Sequence, residues 1–313
     1  MNKFALNKIK TSEQNIIIST GAKFALFQAI TALCGAGDEV IVLAPYWLSY
    51  LEMIKASGAK AVVVETKIEN GFEPLKQDLE KAITDKTKLI IINSPNNPTG
   101  AVYSRQTLEM IADVAVKNNV MVLSDEIYEK LNYNKEKPHI SLASLNDQIA
   151  DLTITVNGFS KAYAMTGWRL GYLSAPEWLV KRISALQSHA TSNATTFVQY
   201  AGVAALQGKA DEDVKKMVAT FAKRRELICK RLSEIKNIEY FKPNGAFYVM
   251  CNIKKTGLSA DDFAARLLDE KEVVVIPCTS FGTSEYVRLS YACSNEVIET
   301  AVSRIKEFCE NNK

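Results

Sequence analysis

A repeated alternation limits what this chain can fold into more than any other feature. Short apolar, β-branched runs occur at Asn15 to Ser19, Glu39 to Leu43, Ala61 to Glu65, Lys88 to Asn93, Val120 to Ser124 and Leu152 to Val156. Amphipathic stretches separate them, and Phe24 to Leu33 and Leu108 to Val116 carry helical spacing. Several of the runs are apolar throughout, as strands covered on both faces must be. Strands that alternate with helices in this way predict an α/β domain with a mostly parallel sheet and helices on both sides. In such a domain the ligand site is expected beyond the carboxyl ends of the strands.

The texture changes after Gln207. Asp211 to Ile235 reads as a long charged amphipathic helix. Extended pieces follow at Phe247 to Ile253, Val273 to Ile276 and Tyr286 to Tyr291, with a last helix from Asn295 to Glu310. This α+β pattern puts a boundary near Gly208. A large domain over 1–208 would precede a smaller one over 209–313, with the helix at about 211–235 linking them.

Composition removes several function classes. At 47% hydrophobic residues no uninterrupted run is long enough to span a bilayer, and Met1 to Lys10 lacks the layout of a signal peptide. A net charge of +3 without a dense basic cluster argues against nucleic acid. Six cysteines, Cys34, Cys229, Cys251, Cys278, Cys293 and Cys309, lie scattered with no CxxC pair, which reads as reduced cytoplasmic thiols. With only His139 and His189 present, zinc catalysis and a Ser-His-Asp triad are poor prospects, and no metal is expected.

Polar residues recur just past the expected strands. In "STGAKFAL", Gly21 permits a tight turn, and the free amides at Ala22 and Lys23 suit an anion, although most such turns bind nothing. In "APYWLSY", Trp47 fits either a core or the flat face of an aromatic ligand. "NSPNNPTG" is a rigid proline loop that either aims Asn97 inward or is a plain turn. In "LSDEIYE", Asp125 ends a run too apolar for an unpartnered carboxylate, and Tyr128 follows; a helix cap explains Asp125 equally well. "TVNGFSKAYAMTGWRLGY" places Lys161 and Arg169 after another apolar run, and in "YVRLSYA" Arg288 interrupts a strand, as a structural ion pair also would. One ligand would use all six: a planar aromatic aldehyde with a phosphate tail.

Taken in order, "STGAK", "APYWLSY", "NSPNNPTGAVY", "SDEIYE", "NGFSKAYAMTGWRLGY", "PNGAFY" and "VRLSYA" cover nearly the whole chain. The chain resembles the fold type I pyridoxal-phosphate enzymes, specifically the class I/II aminotransferases in the bacterial branch of aspartate and prephenate-using members. The resemblance implies a three-layer α/β/α large domain and a smaller α+β domain in a cytoplasmic homodimer. It implies transamination between an amino acid, aspartate foremost, and 2-oxoglutarate, with pyridoxal 5'-phosphate as cofactor. Aromatic, prephenate or alanine substrates and a carbon–sulfur lyase on the same fold stay open.

By the same resemblance Lys161 holds the cofactor covalently and moves the proton at the substrate Cα. Arg169 and the Gly21, Ala22 and Lys23 turn match the phosphate ligands. Trp47 matches the ring-stacking aromatic, and Asp125 the carboxylate facing the pyridine nitrogen. Asn97 and Tyr128 match the donors to the ring oxygen. Arg288 matches the grip on the substrate α-carboxylate, with Trp47 and Asn97 beside it. Lys23 matches the partner of a distal carboxylate. Family members carry several dozen residues ahead of the position matching Asn2, which help to close the site and build the dimer. A chain without them is expected to bind cofactor yet turn over slowly, or to be a non-catalytic remnant.

Overall fold

The apolar runs become strands of one seven-stranded sheet: β1 (Ile16–Ser19), β2 (Glu39–Ala44), β3 (Lys60–Glu65), β4 (Thr87–Asn93), β5 (Met121–Asp125), β6 (Thr153–Gly158) and β7 (Gly171–Ser174). The structure is a computed structural model and describes residues 7–134 and 138–311. Much of the reading of Met1 to Lys10 therefore lies outside the described residues. Strand order is β1-β7-β6-β5-β4-β2-β3. β3, β2, β4, β5 and β6 pair in parallel, while β7 runs antiparallel to both β6 and β1.

Alternation along the strands sorts the core into two faces. Val42, Ile91 and Leu123 point toward Leu26 and Ile30 of the helix Ala22–Leu33. Ile41, Ile90 and Val122 point the other way, toward Leu108 and Ile111 of the helix Arg105–Asn118. Residues of β2, β5 and β6 are buried throughout, as parallel strands between two helix layers must be. The result is three layers, α/β/α. Its carboxyl strand ends carry Asn93, Asp125 and Gly158, so those residues open on the same rim.

A second, four-stranded antiparallel sheet has the order β10-β11-β9-β8, from β8 (Glu239–Tyr240), β9 (Tyr248–Asn252), β10 (Ile276–Pro277) and β11 (Tyr286–Ser290). The helices Ala260–Lys271 and Asn295–Asn311 cover it, burying Phe263, Leu267, Ile305 and Phe308 against Val249 and Cys251. The expected strand at Val273 to Ile276 is smaller than its pattern. Val273 and Val275 are buried and Val274 is exposed, but only Ile276 and Pro277 pair with β11.

The helix Asp211–Leu232 touches both bodies. Met217 and Val218 pack on the core of the large sheet, and Ile228, Cys229 and Leu232 belong to the core of the small one. Phe221 packs on both, stacking on Phe247 with ring centroids 5.4 Å apart. Among the described residues no helix is long and apolar enough to cross a membrane.

Candidate active site

A cavity of about 380 Å³ lies at the carboxyl ends of the large sheet and is lined by Lys23, Trp47, Tyr50, Asn97, Asp125, Tyr128, Lys161, Arg169, Tyr248 and Arg288, among others. Ala22, Lys23, Trp47, Asn97, Asp125, Tyr128, Lys161, Arg169 and Arg288, the candidates from the sequence, all line it, and Gly21 lies against Arg169. Residues from 23 to 169 meet here because the strand ends of the large sheet share one rim, and the small sheet adds Tyr248 from β9 and Arg288 from β11.

The anion-binding end comes from two turns. Gly21, at φ 96, is the N-cap of the helix Ala22–Leu33 and leaves the first amides of that helix free of intrahelical partners. A Cβ at Gly21 would lie 2.6 Å from Arg169 Nη2, so only glycine lets the guanidinium sit against the turn. Gly171, at the start of β7, is equally confined: a Cβ there would lie 2.3 Å from the Ala22 amide nitrogen. Arg169 itself has φ 51, a backbone conformation that costs a non-glycine residue energy. That turn sends its side chain back across Gly21, where Nη1 donates to the Thr166 carbonyl at 2.9 Å. The remaining guanidinium N–H groups and the helix amides form a positive cradle of the kind that suits a phosphate.

At the other end lies Asp125, buried to 3% exposure. Its Oδ2 accepts from the Tyr50 hydroxyl at 2.7 Å, and its Oδ1 accepts from the Ile127 amide at 3.2 Å. The Asn93 amide donates to the Asp125 carbonyl at 2.9 Å, and Asn93 Oδ1 accepts from the Asn97 amide at 2.8 Å, which fixes the proline loop. Burial pushes the Asp125 carboxyl up to about 6 despite the pull of the Tyr50 and Ile127 hydrogen bonds. A buried carboxylate without a cation is costly, and a protonated ring nitrogen would relieve that cost.

Lys161 stands between these ends, just past β6. Its amine lies 5.4 Å from the centroid of the Phe247 ring and 6.0 Å from that of Tyr128. Burial lowers its pKa, and the Arg288 and Arg169 charges lower it further, so a neutral amine forms more readily than in water. Tyr128 and Tyr248 hydroxyls are 3.1 Å apart. Burial holds the Tyr128 phenol protonated far above its usual range, so it stays a donor. Arg288 Nη1 donates to Asn97 Oδ1 at 2.8 Å, and its guanidinium lies 4.4 Å from the Tyr248 ring centroid. Lys23 is exposed, with its amine 4.8 Å from the Trp47 ring centroid.

Two contributors escaped the sequence reading. Tyr50 stands in the quoted "APYWLSY" but only Trp47 was singled out, and Tyr248 closes "PNGAFY". For Tyr50 a signal existed: a tyrosine three residues after Trp47 shares its side of a helical turn. Nothing local pointed to Asp125 as its partner.

A planar group with an anionic tail fits this cavity. The cradle supplies the anion's partners, Trp47 a flat face, Asp125 an uncompensated buried carboxylate and Lys161 an amine of lowered basicity. That set sits at the strand ends of a mostly parallel sheet covered by helices on both faces.

The comparisons agree. The family described as "Aminotransferase class I and II" matches residues 1–305. "Aspartate aminotransferase" of Bacillus subtilis (strain 168) is 42% identical over 309 residues, 97% of this chain and 78% of that protein. A solved "aspartate aminotransferase from Thermus thermophilus with maleate" superposes with a TM-score of 0.93 at 38% identity, covering 97% of this chain and 78% of that one. The "aromatic aminotransferase from Pyrococcus horikoshii OT3" superposes with a TM-score of 0.95 at 39% identity, covering 99% and 83%. The chain belongs to the class I and II aminotransferase family.

Proposed function

We propose that this protein transfers the amino group of aspartate to 2-oxoglutarate with pyridoxal 5'-phosphate as its cofactor. The observation that carries the reading is the convergence of Lys161, Asp125 and Arg169 on one cavity at the strand ends. Pyridoxal phosphate, when bound, supplies a conjugated ring that takes up the electron pair released at the substrate Cα.

The chain's own residues then divide the work. Arg169 and the amides after Gly21 hold the phosphate, while Trp47 covers a face of the ring. Asp125 keeps a proton on the ring nitrogen, and Asn97 and Tyr128 donate to the ring oxygen. Lys161 would anchor the cofactor, and its amine would be placed to move the proton at the substrate Cα. Arg288, steadied by Asn97, grips the α-carboxylate. Lys23 at the mouth meets a distal carboxylate, which favours dicarboxylic substrates, and maleate in the Thermus thermophilus neighbour supports that choice. The aromatic wall of Trp47, Tyr128 and Tyr248 also suits an aromatic side chain, in keeping with the Pyrococcus horikoshii neighbour.

We divide the chain into a cofactor-binding domain over 1–208 and a small domain over 209–313, and we read it as a cytoplasmic homodimer. The six unpaired cysteines support a reducing compartment. On the helix Thr196–Leu206 the exposed Phe197, Tyr200 and Val203 form an apolar stripe that a second copy would cover.

The test is direct. Cofactor-loaded protein should change its visible absorbance on addition of aspartate, with phenylalanine run in parallel. Borohydride reduction of the cofactor-loaded protein before any amino acid is added, followed by peptide mapping, should place the pyridoxyl label on Lys161; a label on another lysine would refute the assignment.

A further inference from the structure

We propose that Tyr50 is a positioning residue that holds the Asp125 carboxylate charged and correctly turned toward the cofactor's ring nitrogen. The inference rests on the reading of Asp125 given above and goes beyond it to a residue outside that set.

Four observations carry it. The Tyr50 hydroxyl donates to Asp125 Oδ2 at 2.7 Å, shorter than the 3.2 Å amide contact from Ile127 to Oδ1. Tyr50 is 2% exposed and Asp125 3%, so water cannot substitute for the phenol. Tyr50 also comes from a different part of the sheet. It follows β2, whereas Asp125 ends β5, and β4 lies between those strands. Finally, the Tyr50 ring meets Trp47 edge-on, with centroids 5.4 Å apart and planes at 88°. One side chain thus sets the height of the aromatic face and the direction of the carboxylate.

The chemistry favours a phenol in this place. A neutral donor to a carboxylate gives a strong, charge-assisted hydrogen bond without adding a competing cation. Burial and the neighbouring Asp125 charge hold the Tyr50 phenol well above its ordinary range, so it remains a donor at any working pH. A cation here would instead neutralise Asp125 and remove its pull on the ring-nitrogen proton.

Tyr50→Phe separates this role from packing, because the ring against Trp47 is kept and only the donor is lost. The measurement is equilibrium binding of two probes to wild-type and variant protein: pyridoxal phosphate, and its analogue with C–H in place of the ring nitrogen. Wild type should prefer pyridoxal phosphate. In Tyr50→Phe that preference should shrink on the order of ten-fold, the scale of one charge-assisted hydrogen bond, with analogue affinity unchanged. Unchanged analogue binding also shows that the variant folds. Equal losses for both probes would make Tyr50 a packing residue and overturn the inference, as would a preference that survives undiminished. A wild type with no preference would overturn the reading of Asp125 and this inference with it.

Discussion

Around the seven-stranded sheet the buried residues include Asn93, Asn96, Asn97, Ser124, Asp125 and Glu126, whereas the core of the four-stranded sheet is built from Val249, Cys251, Ile253, Phe263, Leu267 and Phe308. Among the described residues beyond Gln187, no charged, amide, serine or threonine residue is buried. Yet the small sheet supplies Arg288, half-buried and reaching across to Asn97. The difference shows where a polar interior is tolerated. Each buried polar group needs a partner, and converging strand ends provide partners from several loops at once. Glu126 illustrates this away from the cavity, accepting from Ser124 and Ser141 and pairing with His139 at 2.9 Å. The small body lacks such a convergence and stays apolar, extending one cation toward the other's site.

The strongest test of that contrast is Asp125→Asn. If the polar interior exists for chemistry, transamination should fall on the order of 10²–10³-fold, since the amide no longer holds the ring-nitrogen proton. Steady-state rates would measure this, and near-normal turnover would reduce Asp125 to a structural residue.

The same substitution should stabilise the cofactor-free protein. The Asp125 carboxyl is raised from 3.8 to about 6 in the folded state, so folding holds its proton more tightly than the unfolded chain does. That contribution is fully present below about 3.8 and is lost as pH rises through about 6. Asparagine removes the titration, so the variant should gain on wild type by roughly 3 kcal/mol at pH 8 relative to pH 3. Denaturant midpoints at the two pH values would show it, and a pH-independent difference would break the link between burial and cost.

A smaller effect should separate the two cations at the proposed substrate end. Arg288→Met should lower kcat/KM roughly ten-fold or more for aspartate and phenylalanine alike, because both carry the α-carboxylate. Lys23→Ala should cost a few-fold to about ten-fold, with aspartate alone, because its exposed amine is screened by solvent. Parallel kinetics on both substrates decide the matter. Equal losses in Lys23→Ala would confine that lysine to the phosphate turn.

The large sheet was legible because its central strands, β2, β4, β5 and β6, are buried on both faces, which writes continuous apolar runs. β7 was not. Its first two residues, Gly171 and Tyr172, close a stretch read for chemistry, and nothing local marks an antiparallel strand there. Burial alternates along Val273 to Val275 as in an extended chain, but hydrogen bonding needs a neighbour, and only Ile276 and Pro277 have one. Likewise the helix read to Ile235 ends at Leu232, because Ile235 remains buried after the last turn and prolongs the apolar pattern. The site was visible wherever a polar residue broke an apolar run, as at Asp125 and Arg288. Tyr50 and Tyr248 were hidden because an aromatic in an apolar stretch is unremarkable until its hydroxyl partner is known.

The helix Asp211–Leu232, through Phe221, belongs to both cores. Stripping either body from it would bare apolar surface that the other alone cannot cover, so the two are coupled in how they come apart. Heat or denaturant should meet a single cooperative unit, and a loosened small body would be felt at the strand ends that hold Asp125 and Lys161. The chain's resistance to unfolding and its hold on the proposed cofactor should thus depend on the same turn of helix.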